Sequence, residues 1–181
     1  WWHTDERGEV YRNRIRKING RSYAFDGIGR MQTGFVLFDG KSEFVARYEV
    51  DDWSSEDFIE GTIYGIEKSD LYLFSPDELN DGSMQIGKDI AVELEDGVFH
   101  FGFASNGKAF GNRNRLQKKE GMYYINGLRL EADEEYGYGV VKVEDGADTY
   151  YQVVDTRGKV IEGKKKIVKD KEGGYLLIIR N

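Results

Sequence analysis

The sequence predicts an all-β fold, a solenoid-like array of antiparallel β-hairpins joined by short turns, with at most one short helical turn. Three observations predict it. The first is the stretch Asn19–Phe35, Asn-Gly-Arg-Ser-Tyr-Ala-Phe-Asp-Gly-Ile-Gly-Arg-Met-Gln-Thr-Gly-Phe. Asn19-Gly20 is a two-residue type I′ turn signal, because both positions tolerate a positive φ. Tyr23 and Phe25 then alternate with smaller residues at the period of a half-buried strand. Asp26-Gly27-Ile28-Gly29 is a second turn, and Thr33-Gly34-Phe35 starts another short strand. The second observation is recurrence of the core Phe25…Gly29…Met31…Gly34. The third is turn chemistry: 23 Gly against a single Pro, with 14% aromatic residues, fits many tight turns between faces of large rings.

The recurrence decays along the chain. Val154…Gly158…Val160…Gly163 repeats the core in full. Phe103…Gly107…Ala109 repeats three positions, with the last glycine early at Gly111. Phe74…Gly82…Met84…Gly87 keeps the second half behind four extra residues, and Tyr123–Gly127 is a shortened version. One hairpin cannot bury this many large side chains alone. A unit of roughly 20–35 residues that lends one apolar face to the next is the signature of a stacked array, with its core running along the axis.

Asn19–Phe35 resembles the cell-wall-binding repeat, also called the choline-binding or glucan-binding repeat, of Gram-positive surface proteins. The family pattern is Asn-Gly-Lys-Trp-Tyr-Tyr-Phe-Asp-x-x-Gly-x-Met-x-Thr-Gly-Trp. The match is specific over Asn19–Phe35 and partial elsewhere. The resemblance implies a solenoid of β-hairpins and a binding role on cell-surface polymers.

At 181 residues the chain holds one domain or one repeat array, with units near 1–35, a divergent insert at 36–69, and then 70–95, 96–119, 120–145 and 146–181. Net charge is −7 and the isoelectric point near 5.0, which disfavours nucleic acid as a partner. No cysteine is present, so disulfides and cysteinyl metal sites are excluded. No apolar run approaches the roughly 18–20 residues of a transmembrane segment. The chain opens at Trp1-Trp2 with no signal peptide, and it reads as an excerpt of a larger or processed protein.

Element by element, Tyr11–Ile18 is expected as a strand with a basic outer face, and Trp1 and Trp2 as caps on the array end in preference to ligand-facing rings. Within the insert, Phe44–Val50 alternates as a strand. Asp51–Asp57 is an acidic loop or a helical turn started by Ser54 or Ser55. Gly61–Ile66 reads as a strand, and the segment as a degenerate repeat or a grafted hairpin. Trp53 is expected to tuck onto the sheet. Leu71–Phe74 is a strand, followed at Ser75-Pro76-Asp77 by the clearest helix start, with Ser as N-cap and Pro at the first helical position. Ile90–Glu95 and Val98–Phe103 flank Asp96-Gly97, a strong hairpin signal. His100 faces away from Phe99 and Phe101. Asn112–Gln117 is a basic turn. Gly121–Ile125 and Gly137–Val143 are strands, and Asp145-Gly146 turns into Tyr150–Val154. Gly163–Lys169 and Tyr175–Ile179 close the array as a hairpin, with the lysine run guarding an outer strand edge against further pairing.

Catalytic chemistry is nearly absent. There is no Cys nucleophile, and His3 and His100 stand outside any triad or zinc motif. No catalytic residue, metal ligand or cofactor is therefore assigned. In the resembled family the choline cage uses the first aromatic of Trp-Tyr-Tyr, the Trp after Thr-Gly, and an aromatic of the next repeat. Here the first position holds Ser22, Leu71, His100, Tyr123 and Tyr151 in turn. Phe35 replaces the Trp in the first unit, and Lys88 and Lys164 follow the matching glycine in two others, so no unit keeps the full cage. The candidate ligand-binding residues are Tyr123, Tyr124, Tyr150 and Tyr151, then Tyr23 and Phe35, each with packing between hairpins as its competing role. The expected function is non-catalytic binding of cell-wall polysaccharide, other surface carbohydrate or teichoic acid, by part of an exported, secreted or cell-surface protein. The alternative is a structural spacer or protein-interaction solenoid without a small ligand.

Overall fold

The computed structural model describes residues 1–76, 81–163, 165–169 and 172–179, with the backbone alone at 145, 165 and 175–179. Its strands form a series of antiparallel sheets, with no closed barrel. β1 (Arg14–Ile18), β2 (Arg21–Phe25) and β3 (Met31–Gln32) make a three-stranded sheet in that order. β4 (Gly34–Asp39) then sits between β5 (Phe44–Tyr48) and β6 (Ser69–Phe74). The one α-helix among the described residues, α1 (Ser55–Glu60), and a 3-10 turn (Ile66–Lys68) lie between β5 and β6 in sequence. The five-stranded sheet comprises β7 (Gly87–Leu94), β8 (Gly97–Phe103), β9 (Gln117–Lys119), β10 (Met122–Ile125) and β11 (Leu128–Arg129), in the order β7-β8-β11-β10-β9. Two hairpins follow, β12 (Gly139–Asp145) with β13 (Asp148–Val154), and β14 (Lys165–Lys169) with β15 (Tyr175–Ile179).

The sequence spacing has a direct geometric cause. At Asp5, Asp26, Asp39 and Asp155 the chain makes the same five-residue turn. At Asp26 the backbone carbonyl accepts the Gly29 N–H at 3.0 Å, and the Asp26 N–H donates to the Arg30 carbonyl at 3.0 Å. The carboxylate Oδ1 accepts the N–H of Ile28 at 3.0 Å and of Arg30 at 2.8 Å. Asp5, Asp39 and Asp155 reproduce the pattern. Ala104 keeps its backbone half without the carboxylate. The flanking residues then pair across the turn: Thr4 with Val10, Phe25 with Met31, Phe38 with Phe44, Phe103 with Ala109, and Val154 with Val160. Apolar residues six apart recur because they are cross-strand partners. Phe74 and Met84 keep that bridge across the longer loop.

β4 explains how the sheets pile up. Its residues Gly34–Phe38 are all buried, and alternate side chains go to different cores. Phe35 and Leu37, with Leu71 and Leu73 of β6, meet Val92, Leu94, Phe101, Phe103 and Leu128 from the five-stranded sheet. Val36 and Phe38, with Tyr72 and Phe74, face the other way onto Ala24 and Ile15. A third core gathers Tyr123, Val141, Val143, Val154 and Val160. A sheet buried on both faces reads as a continuous apolar run, as β4 does. Within 36–69, the Asp39 turn between β4 and β5 has the same hydrogen bonds as the Asp26 turn.

One expected strand is corrected. Gly61–Ile66 is a turn leading into the 3-10 segment. Gly61 and Gly65 take φ of 67° and 87°, left-handed values that break an extended run at both of its ends. Ile63 and Ile66 are buried at helical spacing instead. The helix expected from Ser75 runs into 77–80, outside the described residues. The helix α1 starts after Ser54, whose N–H and Oγ–H both donate to Asp57 Oδ2, at 3.0 and 2.7 Å. It ends at left-handed Gly61. The type I′ turn at Asn19-Gly20 is present, with φ of 50° and 88°, and Asn126-Gly127 repeats it.

Candidate functional site

A groove of 810 Å³ opens beside the first sheet. Trp1, Trp2, Tyr23, Phe25, Met31, Thr33 and Asp81 are among the residues that line it. The Asp26 turn builds one wall. The Met31 N–H donates to the Trp1 carbonyl at 2.8 Å, and the Tyr11 N–H to the His3 carbonyl at 3.0 Å, which lays the first residues along β3. A Cβ at Gly29 would overlap Val10 and approach the Tyr11 carbonyl to 2.9 Å, so only glycine lets this segment lie so close. His3, which also lines the groove, stacks on Tyr11, with ring centroids 5.6 Å apart.

The opposite wall carries charge. Asp81 Oδ2 accepts the Tyr23 hydroxyl and an Arg21 N–H, each at 2.8 Å. The hydrogen bond from Tyr23, against a smaller penalty from burial, holds the Asp81 carboxyl below its ordinary value. Burial and the same carboxylate push the Tyr23 phenol up. At neutral pH the rim therefore presents a fixed carboxylate beside aromatic rings. Trp1 and Trp2 are 89% and 62% exposed, so their rings are not consumed by packing. Exposed rings, a thioether and a nearby carboxylate suit an apolar cation, through cation–π attraction, or the flat face of a sugar.

The six residues chosen from sequence are dispersed. Tyr23 lies in the groove. Phe35, 1% exposed, is in the central core, with its ring 5.1 Å from Phe58. Tyr124 is fully buried, edge-on to Phe110, and its hydroxyl donates to the Lys88 carbonyl at 2.8 Å. Tyr123 is in the third core, under the Lys118 ammonium at 5.4 Å. Tyr150 and Tyr151 are exposed on β13, but as consecutive strand residues they point to opposite faces. Neither pair of adjacent tyrosines can therefore line one notch. The groove instead uses Trp1 and Trp2, which the sequence favoured as end caps, together with Met31 and Asp81. Trp1-Trp2 was the readable signal; the partnership with Asp81 comes from pairing across 58 residues.

A second polar cluster is structural. Arg129, 8% exposed, donates from Nε to Glu131 and from Nη1 to Asp89, both at 2.6 Å, and His100 Nδ1 lies 3.0 Å from Glu131. Burial works against the Arg129 charge, but the two carboxylates outweigh it and raise its pKa. Its stem also fills the space beside Gly158, where a Cβ would lie 2.9 Å from Arg129 Cγ. Among the described residues no group of three His, Cys, Asp or Glu side chains could hold a metal ion. No described helix is long and apolar enough to cross a membrane.

No family model matches the chain, and no curated protein matches it. Among solved structures the chain is similar to CbpJ from Streptococcus pneumoniae TIGR4, at 13% identity and a TM-score of 0.46, over 97% of this chain and 62% of that one. It is similar to the modular Cpl-1 endolysin, solved in complex with a peptidoglycan analogue, at 15% identity and a TM-score of 0.36, over 90% of this chain and 37% of that one. Choline binding protein F from Streptococcus pneumoniae aligns at 18% identity and a TM-score of 0.29, over 90% of this chain and 44% of that one. This chain thus spans less than two thirds of each. By name, choline binding protein F belongs with the family that Asn19–Phe35 resembles. Superpositions at these scores carry no ligand site across.

Proposed function

We propose that this chain is a non-catalytic binding module for a cell-wall or other surface polymer, in an exported protein, and that it engages the polymer at the Trp1–Trp2–Tyr23–Met31 groove. The observation that carries this reading is the pair of exposed tryptophan rings that line one groove with Tyr23, Met31 and the Asp81 carboxylate. The ligand is a sugar ring or a quaternary ammonium substituent of the polymer, held by stacking and cation–π attraction of about 0.5–2 kcal/mol per ring.

Retention on purified Gram-positive cell walls, with competition by choline chloride or a soluble wall glycan, tests the reading. Trp1→Ala/Trp2→Ala should weaken retention about tenfold or more and leave the melting temperature unchanged, because both rings are exposed. Failure of the walls to retain the wild-type chain, or equal retention of the double variant, overturns it.

A further inference from the structure

A second concavity, of 530 Å³, lies on a different part of the molecule. Asp70, Lys108, Asn112, Arg115, Gln117 and Lys118 line it, with Leu71, Ala109 and buried Asn126 at its base. None of its lining side chains is aromatic. Its only acid is Asp70, which is already engaged by the Lys108 ammonium at 2.6 Å. The segment from Asn112 to Lys119 holds four cations and no acid, in a chain of net charge −7, and of the four Arg115 and Lys118 line the concavity. Among the described residues no carboxylate forms an ion pair with Arg115 or Lys118. The nearest acid in sequence, Glu120, is paired with Lys88.

The backbone makes the wall a built feature. The Asn112 and Arg115 N–H groups donate to each other's carbonyls, both at 3.0 Å, which closes a tight turn. The Asn114 N–H donates to Asn112 Oδ1 at 3.0 Å, and Gln117 Oε1 accepts the Gly111 N–H at 2.9 Å. Lys118 is steered by the Tyr123 ring at 5.4 Å. Like charges that line one concavity repel unless an anion occupies the space between them.

We infer that this concavity binds the phosphate groups of a phosphodiester-linked polyol or sugar polymer, with Arg115 and Lys118 as the contacting cations and Lys108 as a third, held in place by Asp70. Arg and Lys beside amide donors are the usual partners of a phosphate oxygen. Single-stranded nucleic acid, the other common polyphosphodiester, is bound largely through base stacking on aromatic rings, and this lining offers none. The inference stands apart from the aromatic groove and survives if that groove proves empty of function.

Calorimetric titration with poly(glycerol phosphate), at 25 and 250 mM NaCl, tests it. The wild-type chain should bind at low salt and lose affinity at least fivefold at the higher concentration, since phosphate binding releases counterions. Arg115→Glu/Lys118→Glu should lower affinity at least tenfold and flatten the salt slope, with no change in melting temperature. Trp1→Ala/Trp2→Ala should leave this binding intact. Three results would overturn the inference: affinity of the charge-reversed variant within twofold of wild type, equal binding of a neutral dextran, or tighter binding of single-stranded DNA of the same charge.

Discussion

Asp26 shows what a single residue contributes to this architecture. It is 5% exposed, yet it accepts the N–H of Ile28 and Arg30 and donor groups of the Arg30 and Gln32 side chains. Burial pushes its carboxyl up, but the hydrogen bonds from Arg30 and Ile28 together outweigh burial and hold it below the ordinary 3.8. A carboxylate whose folded pKa is depressed stabilises above its unfolded pKa, and that contribution is lost as pH falls through the folded value. Asp26→Asn should therefore be less stable than wild type at pH 7, and the gap should narrow below about pH 4; urea melts between pH 7 and pH 3 measure it. A gap that stays constant or widens in acid contradicts the assignment. Gly29 completes the same turn. Gly29→Ala should cost about 2 kcal/mol or more, because φ of 93° is unfavourable for alanine and the methyl meets Val10 and the Tyr11 carbonyl. Gly121→Ala, at φ of 83° with nothing within 4 Å, should cost only about 1 kcal/mol, which separates backbone strain from crowding. The spacing of this turn was legible in the sequence where an apolar residue precedes it and glycine takes its left-handed position, as at Gly29 and Gly158. The turns at Asp5 and Asp39 were hidden, because Thr4 replaces the first apolar partner and Ser42 takes the left-handed position, at φ of 65°.

Among the elements, α1 has the largest effect for its size. Its six residues deliver Phe58, fully buried, between Phe35 and Phe101, with ring centroids 5.1 and 5.0 Å away. The Phe58 carbonyl also accepts the Nδ2 of buried Asn126 at 2.7 Å, which ties the helix to the turn between β10 and β11. Phe58→Ala should cost about 3–5 kcal/mol by guanidinium denaturation, the usual toll of emptying an aromatic site in a core. A loss under about 1 kcal/mol would mean that the helix only decorates the sheet. Its start was legible at Ser54 and Ser55, since a serine before acidic residues is a local signal. Its purpose was not, because the burial of Phe58 depends on β4 and β8, strands far away in sequence. The same limit explains the tyrosine pairs. Binding and packing were both open for each tyrosine in a linear reading, and the strand sends Tyr123 to the third core and Tyr124 toward Phe110.

At the scale of the molecule, the described residues form three cores strung along the chain, and none of these buried residues belongs to two of them. β4 and β6 separate the first two, with alternate residues committed to each. Stability in such an array is a sum of unit terms and nearest-neighbour interfaces, unlike that of one cooperative core. Val36→Ala in the second cluster and Val154→Ala in the third should each cost about 2 kcal/mol. Combined, they should cost the sum within about 0.5 kcal/mol, because the sites share no partner. Phe35→Ala with Phe58→Ala, whose rings touch, should depart from additivity by about 0.5–3 kcal/mol. A double-mutant cycle on each pair, read by urea denaturation with a constant slope, decides the matter. Strong coupling between Val36 and Val154 would mean that the sheets share one continuous core, and the hairpin-array description would fail with it.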